Sequence, residues 1–412
     1  MPIKTADDSK AAAQEAPTAS RSLHVLMTYR ALIPSVRWFG MEQLRYLARE
    51  GMLELRTVPE KKLTADDCRW ADWVVLTRAD TPFELWLARK LREMGRKLFY
   101  VLDDDLAHVP TGLGCSVYYR DATVLALGKA VRDTCDVLVT HSPLLEGLYG
   151  ASFEKVVRVE QPAMLEQASK AMAACQAVPS GTLDTAPHKE AVRIGFSGSP
   201  DRAADVQQVL ADALGALKKR YGERVEIEFF GARPPLVDEL HLPYIPYTSS
   251  AEQYYQTMAQ RHWDIGLAPL EDTQFYRCKY YNKFVEYCTY GIVGVYSDLP
   301  PYQGVVRNGQ DGMLCAPSDW FQTLCALVEN AQARAQMAQA AACRARSFSL
   351  SDVSLRFWQS MGTELTSFRA TEAKLPAFSF AACKLAKASV LAWQTFRRHG
   401  LRLFSIAWHR FC

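Results

Sequence analysis

The chain has 412 residues, 49% hydrophobic and 23% charged, a globular composition with length enough for two ordinary domains. Its formal net charge of +3 excludes a nucleic-acid-binding surface spread over the whole molecule. The 11 cysteines are scattered and include no C-x-x-C pair, which excludes a disulfide framework and a zinc-binding cysteine motif and suits a reducing cytoplasm.

Residues 1–20 mix acids with small polar residues, lack the apolar core of a signal peptide and read as disordered. LHVLMTYR (23–30) is a strand-type apolar run, followed by a helical pattern over 41–50 that stops at Gly51. The alternation continues with LELRTV (53–58), ADWVVLTR (71–78), a helix over 82–94, KLFYVL (97–102), a helix over 124–135, DVLVTHS (136–142) and VVRVEQP (156–162). Such alternation predicts an α/β domain over 21–163, with a parallel sheet covered on both faces and functional groups at the C-terminal ends of its strands. Residues 164–190 lose the rhythm and are rich in Pro, Ser, Thr and Gly from Val178, as an exposed linker would be.

The pattern restarts with VRIGFSGS (192–199), a helix over 201–219, VEIEFFG (225–231), a helix over 251–260 and WDIGLAPL (263–270). In CKYYNKFVEYCTYGIVGVYSD (278–298), Lys279, Asn282, Lys283 and Glu286 fall at i, i+3, i+4 and i+7, a polar stripe on one predicted helix that Gly291 ends. Lysines in the first turns oppose the helix dipole and precede their glutamate in the weaker orientation, so helix stability does not explain them. Together with free helix amides they would make an anion site, although a solvated helix face fits the same spacing. MLCAPSD (313–319) reads as a last short strand. This second domain spans 191–350, residues 351–373 form a packing helix around Trp358, and 374–412 form a tail with seven basic residues and no acid. On a helix, the tail's Lys387, Arg398 and Arg402 fall near one face and Trp393, Phe404 and Trp408 mostly on another, a pattern suited to an anionic membrane surface or to docking on the chain's own domains.

No dinucleotide fingerprint or P-loop is present. GFSGSPDR (195–202) places Gly198 and Ser199 at a strand-to-helix turn, where glycine lets amides approach a phosphate or simply permits the turn. In KLFYVLDDDLAHVP (97–110), Asp103, Asp104, Asp105 and His108 follow a strand end. They fit either a cleft-facing cluster or a helix cap with a solvated acidic turn. Arg37, after the first strand, is open to the same two readings: cleft contact or surface arginine.

The run from IGFSGSPD through VEIEFFG to WDIGLAPLEDTQFYRCKYYNKFVEYCTYGIVGVYSDLPPYQGVVRNGQDGMLC resembles the nucleotide-sugar-binding domain of retaining glycosyltransferases of the GT-B fold, family 4-like. The resemblance covers 192–317 and is most specific over 264–314. It implies two Rossmann-like domains facing a cleft, with a UDP- or GDP-sugar as donor substrate, no cofactor and no metal. It places Glu286 on the donor ribose, Lys279 and Lys283 beside the diphosphate, and Gly198, Ser199, Arg202 and Asn282 nearby. Asp103, Asp104 and His108 would serve the acceptor side as catalytic groups. The chain departs from the family at Cys278, where many members carry a first glutamate, and at Ser199 and Asp205, where they carry an arginine and a lysine. A glycan or lipid-linked acceptor at the inner face of a membrane is the expectation that the tail and the resemblance jointly imply. Two rivals remain at this point: a metal-dependent D-x-D transferase built on the three aspartates, and a non-catalytic nucleotide-sugar-binding subunit.

Overall fold

The computed structural model describes residues 21–166, 168–169 and 191–371. The expected disordered opening, most of the linker and the basic tail lie outside the described residues.

Among the described residues, two six-stranded sheets, both wholly parallel, alternate with helices along the chain. The first contains β1 (His24–Tyr29), β2 (Glu54–Pro59), β3 (Trp73–Thr77), β4 (Lys97–Val101), β5 (Val137–Thr140) and β6 (Lys155–Arg158) in the order β2-β1-β3-β4-β5-β6. The second contains β7 (Val192–Ser197), β8 (Val225–Gly231), β9 (Tyr244–Pro246), β10 (Ile265–Ala268), β11 (Val293–Ser297) and β12 (Met313–Cys315) in the order β12-β11-β10-β7-β8-β9. Strand order reverses between β1 and β3 in one sheet and between β7 and β10 in the other, which opens a crevice at the strands' C-terminal ends in each.

Local chemistry explains the boundaries. β3 is buried at every residue, as a central parallel strand must be. The helix Pro82–Glu93 opens with a capping box between Thr81 and Glu84 and with Pro82 in its first turn. Gly291, at φ +64°, ends the helix Asn282–Tyr290 as expected. That helix starts later than its sequence suggests: Gln274–Arg277 forms a separate short helix, and Lys279 lies in the bend between the two. Strand β9 was not anticipated, because Pro243 just before it and Pro246 at its last position demote LPYIPY to an edge.

The expected packing helix is Leu350–Thr366, and it crosses back onto the first domain. It packs on the helix Glu42–Arg49 and on β6, with Trp358 6.3 Å from the Trp73 ring. Lys155 Nζ donates to the Met361 carbonyl at 2.6 Å, and the Ala370 amide donates to Asp72 at 2.9 Å. One apolar cluster runs from the first sheet through Tyr276, Phe284 and Tyr296 of the second domain to Phe357 and Met361, so the two domains share a core. Met361→Ala removes a side chain that is 1% exposed and should cost about 2–5 kcal/mol in urea unfolding. Hydrogen exchange should locate the lost protection in the first domain, although the substitution lies in the chain's last described helix.

Candidate functional site

β7 delivers Ser197 to the crevice of the second sheet, and the turn at Gly198 and Ser199 leads into the helix Ala203–Tyr221. The turn is packed tightly: Gly231 sits at φ +88°, and a Cβ there would stand 2.1 Å from the Gly198 carbonyl oxygen. Lys283 and Glu286 come from the helix Asn282–Tyr290, and Tyr254 from the helix Ala251–Arg261. Four side chains then converge. Glu286 Oε1 accepts from Tyr254 OH at 2.6 Å, Lys283 Nζ at 2.9 Å and Ser197 Oγ at 3.1 Å, while Lys283 also reaches Ser197 Oγ at 2.6 Å. Burial and the Glu286 charge hold the Tyr254 phenol well above its ordinary range, so it remains a donor. Oε2 of Glu286 makes no hydrogen bond among the described residues and stays available.

Across the cleft, Arg78 follows β3 with φ +47° and grips the acids that follow β4. Its guanidinium binds Asp103 through two bonds of 2.6 and 2.8 Å and reaches Asp104 Oδ2 at 2.6 Å. Burial pushes the Asp103 carboxyl up, but Arg78 outweighs it and brings the group down to about 2. Asp104 Oδ1 also binds Lys279 Nζ of the second domain at 2.9 Å, so one carboxylate joins a cation from each side. Asp105 is fully buried and spent on structure: it accepts from Tyr149 OH at 2.5 Å and Gln274 Nε2 at 2.9 Å and pairs with His108.

Between the two halves lie contiguous cavities of about 540 and 410 Å³ that share Ser199, Tyr254, Lys279, Asn282 and Glu286. Arg78, Asp103, Asp104 and Trp38 line the larger one; Gly198, Arg202 and Lys283 line the smaller. Asn282 opens a helix without a side-chain cap, in which the Phe284 and Val285 amides donate to the Tyr281 carbonyl and those of Asn282 and Lys283 have no partner among the described residues. The cleft therefore combines a preset carboxylate acceptor, cations and uncapped amides, a set that can hold sugar hydroxyls and a polyanion together.

No family model and no curated protein matches the chain. Solved structures do. A glycosyltransferase from Rickettsia africae is similar with a TM-score of 0.54 and 13% identity over 84% of this chain and 100% of that one. HepE from Anabaena in complex with UDP-glucose gives 0.53 and 14%, over 83% and 100%. Sucrose-phosphate synthase from Thermosynechococcus elongatus gives 0.56 and 13%, over 82% and 98%.

The chain has the GT-B fold.

Within that GT-B frame, Gly198, Ser199, Arg202, Lys279, Asn282, Lys283 and Glu286 do come together around one cavity, and Asp103 and Asp104 line the adjoining one. Several expectations change. The lysines are not free: Lys279 is paired with Asp104 and Lys283 with Glu286. Arg202 is likewise held by Asp205 at 2.9 Å and by the Pro269 carbonyl, and lies 5.0 Å from the centre of the Tyr276 ring. His108 lines neither cavity, being tied to Asp105 and Gln274 outside them. Arg37 pairs with Glu42 at 3.0 Å over Trp38, a surface arginine. Cys278 is 1% exposed, and burial pushes its thiol up to about 12, so it offers nothing in place of the family's glutamate. Of the three aspartates in the D-x-D reading, Asp103 and Asp104 are held by Arg78 and Asp105 is fully buried, and no group of three or more candidate metal ligands stands among the described residues.

Sequence reasoning missed Arg78, Ser197 and Tyr254. Arg78 and Ser197 had a signal in that one directly follows and the other ends a strand of its sheet; Tyr254 had none.

Asp103 titrates below its unfolded value of about 3.9, so its contribution is full above that pH and fades as pH falls toward 2. In Arg78→Met the burial remains without the countercharge, so the carboxyl moves above its unfolded value and now costs stability as pH rises. The variant should be about 3–5 kcal/mol less stable at pH 7, with the gap narrowing at pH 3.5. A gap independent of pH in urea titrations would remove Arg78 from this role.

Proposed function

We propose that this chain is a retaining, family 4-like glycosyltransferase that moves a sugar from a UDP- or GDP-sugar to an acceptor without a metal. The observation that carries the reading is Glu286: three donors fix Oε1, and Oε2 is left for the donor ribose at the switch point of the second sheet. The GT-B fold and the resemblance over 192–317 support it, as does the capacity of HepE, on the same fold, to hold UDP-glucose. The departing diphosphate gains charge as the sugar becomes oxocarbenium-like, and Lys279, Lys283 and the amides that open at Asn282 stabilise that charge. Asp103 and Asp104 shape the acceptor side.

Calorimetry with UDP, GDP and their common sugars tests the donor site. Glu286→Ala and Lys283→Ala should each weaken nucleotide binding by about 1.5–3 kcal/mol while leaving the fold intact. Undiminished affinity in the double variant would sink the assignment. The second reading, a binding subunit without transfer, draws on Cys278 and on cations already paired with carboxylates. Nucleotide-sugar binding with no turnover on any acceptor would favour it.

The acceptor on this reading is lipid-linked, in assembly of a cell-surface polysaccharide at the cytoplasmic face of a membrane. No helix among the described residues is long and apolar enough to cross one. The basic, aromatic tail 374–412 would hold the enzyme there. Full-length protein should float with anionic liposomes at low salt, and protein ending at residue 373 should not. Equal flotation of the two would refute the anchor.

A further inference from the structure

A third cavity, of about 690 Å³, adjoins the cleft at Lys279, which lines both. Its size falls in the range of about 300–1,000 Å³ typical of small-molecule sites. Both domains and the returning helix build it: residues 142–144 and 158–160, the bend at 277–281, residues 300–304 and one face of 353–360. None of these groups has a part in the donor site apart from Lys279.

His141 is the informative member. It is 8% exposed, and it lines this cavity and neither of the other two. Its Nε2 stands 2.7 Å from the Asp103 carbonyl oxygen, which can only accept, so Nε2 carries the proton. Burial pulls the imidazole below its ordinary range and keeps it neutral, leaving Nδ1 as a bare acceptor. Nδ1 has no hydrogen-bond partner among the described residues. An acceptor without a protein partner, on a residue that lines a cavity, is open to a donor from a ligand hydroxyl or from water.

The charge balance narrows what that ligand is. Every cation in the lining already has a carboxylate: Arg356 pairs with Glu160 at 2.5 Å, Arg277 with Asp272 at 2.8 Å, Lys279 with Asp104 at 2.9 Å, and Arg158 with Glu146. The lining with its partners is therefore balanced in charge and gives an anion no net preference over a neutral ligand. The lining combines apolar groups of Tyr281, Pro301 and Phe357 with polar groups of Ser142, Gln359 and Ser360, which suits a ring with apolar faces and hydroxyl edges.

We propose that this cavity binds a neutral, hydroxyl-rich sugar ring, one of whose hydroxyls donates to His141 Nδ1. Its identification as the sugar end of the acceptor rests on the glycosyltransferase reading; the binding itself does not.

Saturation-transfer NMR on the full chain, with methyl glycosides of glucose, galactose, mannose and N-acetylglucosamine as separate probes, tests this. At least one should bind wild-type protein, and binding should fall at least tenfold in His141→Phe while UDP affinity stays within twofold. Since His141→Phe strips the Asp103 carbonyl of its donor and could unfold the site, Gly304→Trp provides a second arm. Gly304 lines the cavity, is exposed and has open space where a Cβ would be added, so a large side chain there fills the cavity and leaves His141 in place. Absence of glycoside binding to wild type, or equal binding to Gly304→Trp, overturns the proposal, as does inorganic phosphate displacing the glycoside from wild type. Failure of wild type to bind any UDP or GDP ligand would strike the donor reading alone. Glycoside binding that Gly304→Trp abolishes would still support the sugar site.

Discussion

The cleft depends on one shared carboxylate. Asp104 is 8% exposed and divides its oxygens between Arg78 of its own domain and Lys279 of the other. Buried acids of this kind survive only with countercharges in place, so the first domain supplies Arg78 at the end of β3 even at the cost of a left-handed backbone for a non-glycine residue. Asp103 and Asp104 follow the neighbouring strand, β4, so the sheet itself sets the spacing of acid and base. Lys279 then closes onto a site already neutralised on one side. Gln274 on Asp105, from the short helix before the bend, and Tyr281 on Glu160, from the bend itself, fasten this segment at two further points, which fixes how the two crevices face each other.

The second domain solves a different problem, that of holding an acceptor group still while leaving half of it free. Three donors on one oxygen of Glu286 give the carboxylate a single orientation. The donors come from three distant places in the chain, and close packing brings them together. Tyr254 stacks on Phe230 at 5.2 Å, and Gly266 leaves room for Tyr287, where any Cβ would come within 2.7 Å of the ring. Preorganisation of this sort costs nothing at the moment of binding, because folding has already fixed the geometry.

Much of this was legible in the sequence. Alternating strand and helix patterns gave both sheets, since a buried parallel strand such as WVVLT or VEIEFFG must be apolar wherever it faces a helix. Gly291 and the stripe of Lys283 and Glu286 were readable because capping and helical periodicity are local. What escaped is non-local. Lys279 falls outside the helix because the chain bends at 278–281 to reach Asp104 and Glu160, contacts that no spacing reveals. Tyr254 joins Glu286 from 32 positions away. The return of Leu350–Thr366 to the first domain was not readable, since an amphipathic helix does not say which sheet it will cover.

The paired state of the cations bears on how a polyanionic donor could be taken up at all. A lysine already bound to a carboxylate looks like a poor phosphate ligand, because releasing it should strand a buried negative charge. Both carboxylates here are insured against that. If Lys279 turns to a phosphate, Asp104 keeps Arg78 at 2.6 Å; if Lys283 turns, Glu286 keeps Tyr254 at 2.6 Å and Ser197 at 3.1 Å. Each acid thus has a second partner that does not move, so exchange of a lysine from protein to ligand trades one charge-assisted bond for another. On the proposed reading, the pairing keeps the cleft neutral and still leaves both ammonium groups deliverable, which reconciles the compensated charges in the structure with a diphosphate as ligand.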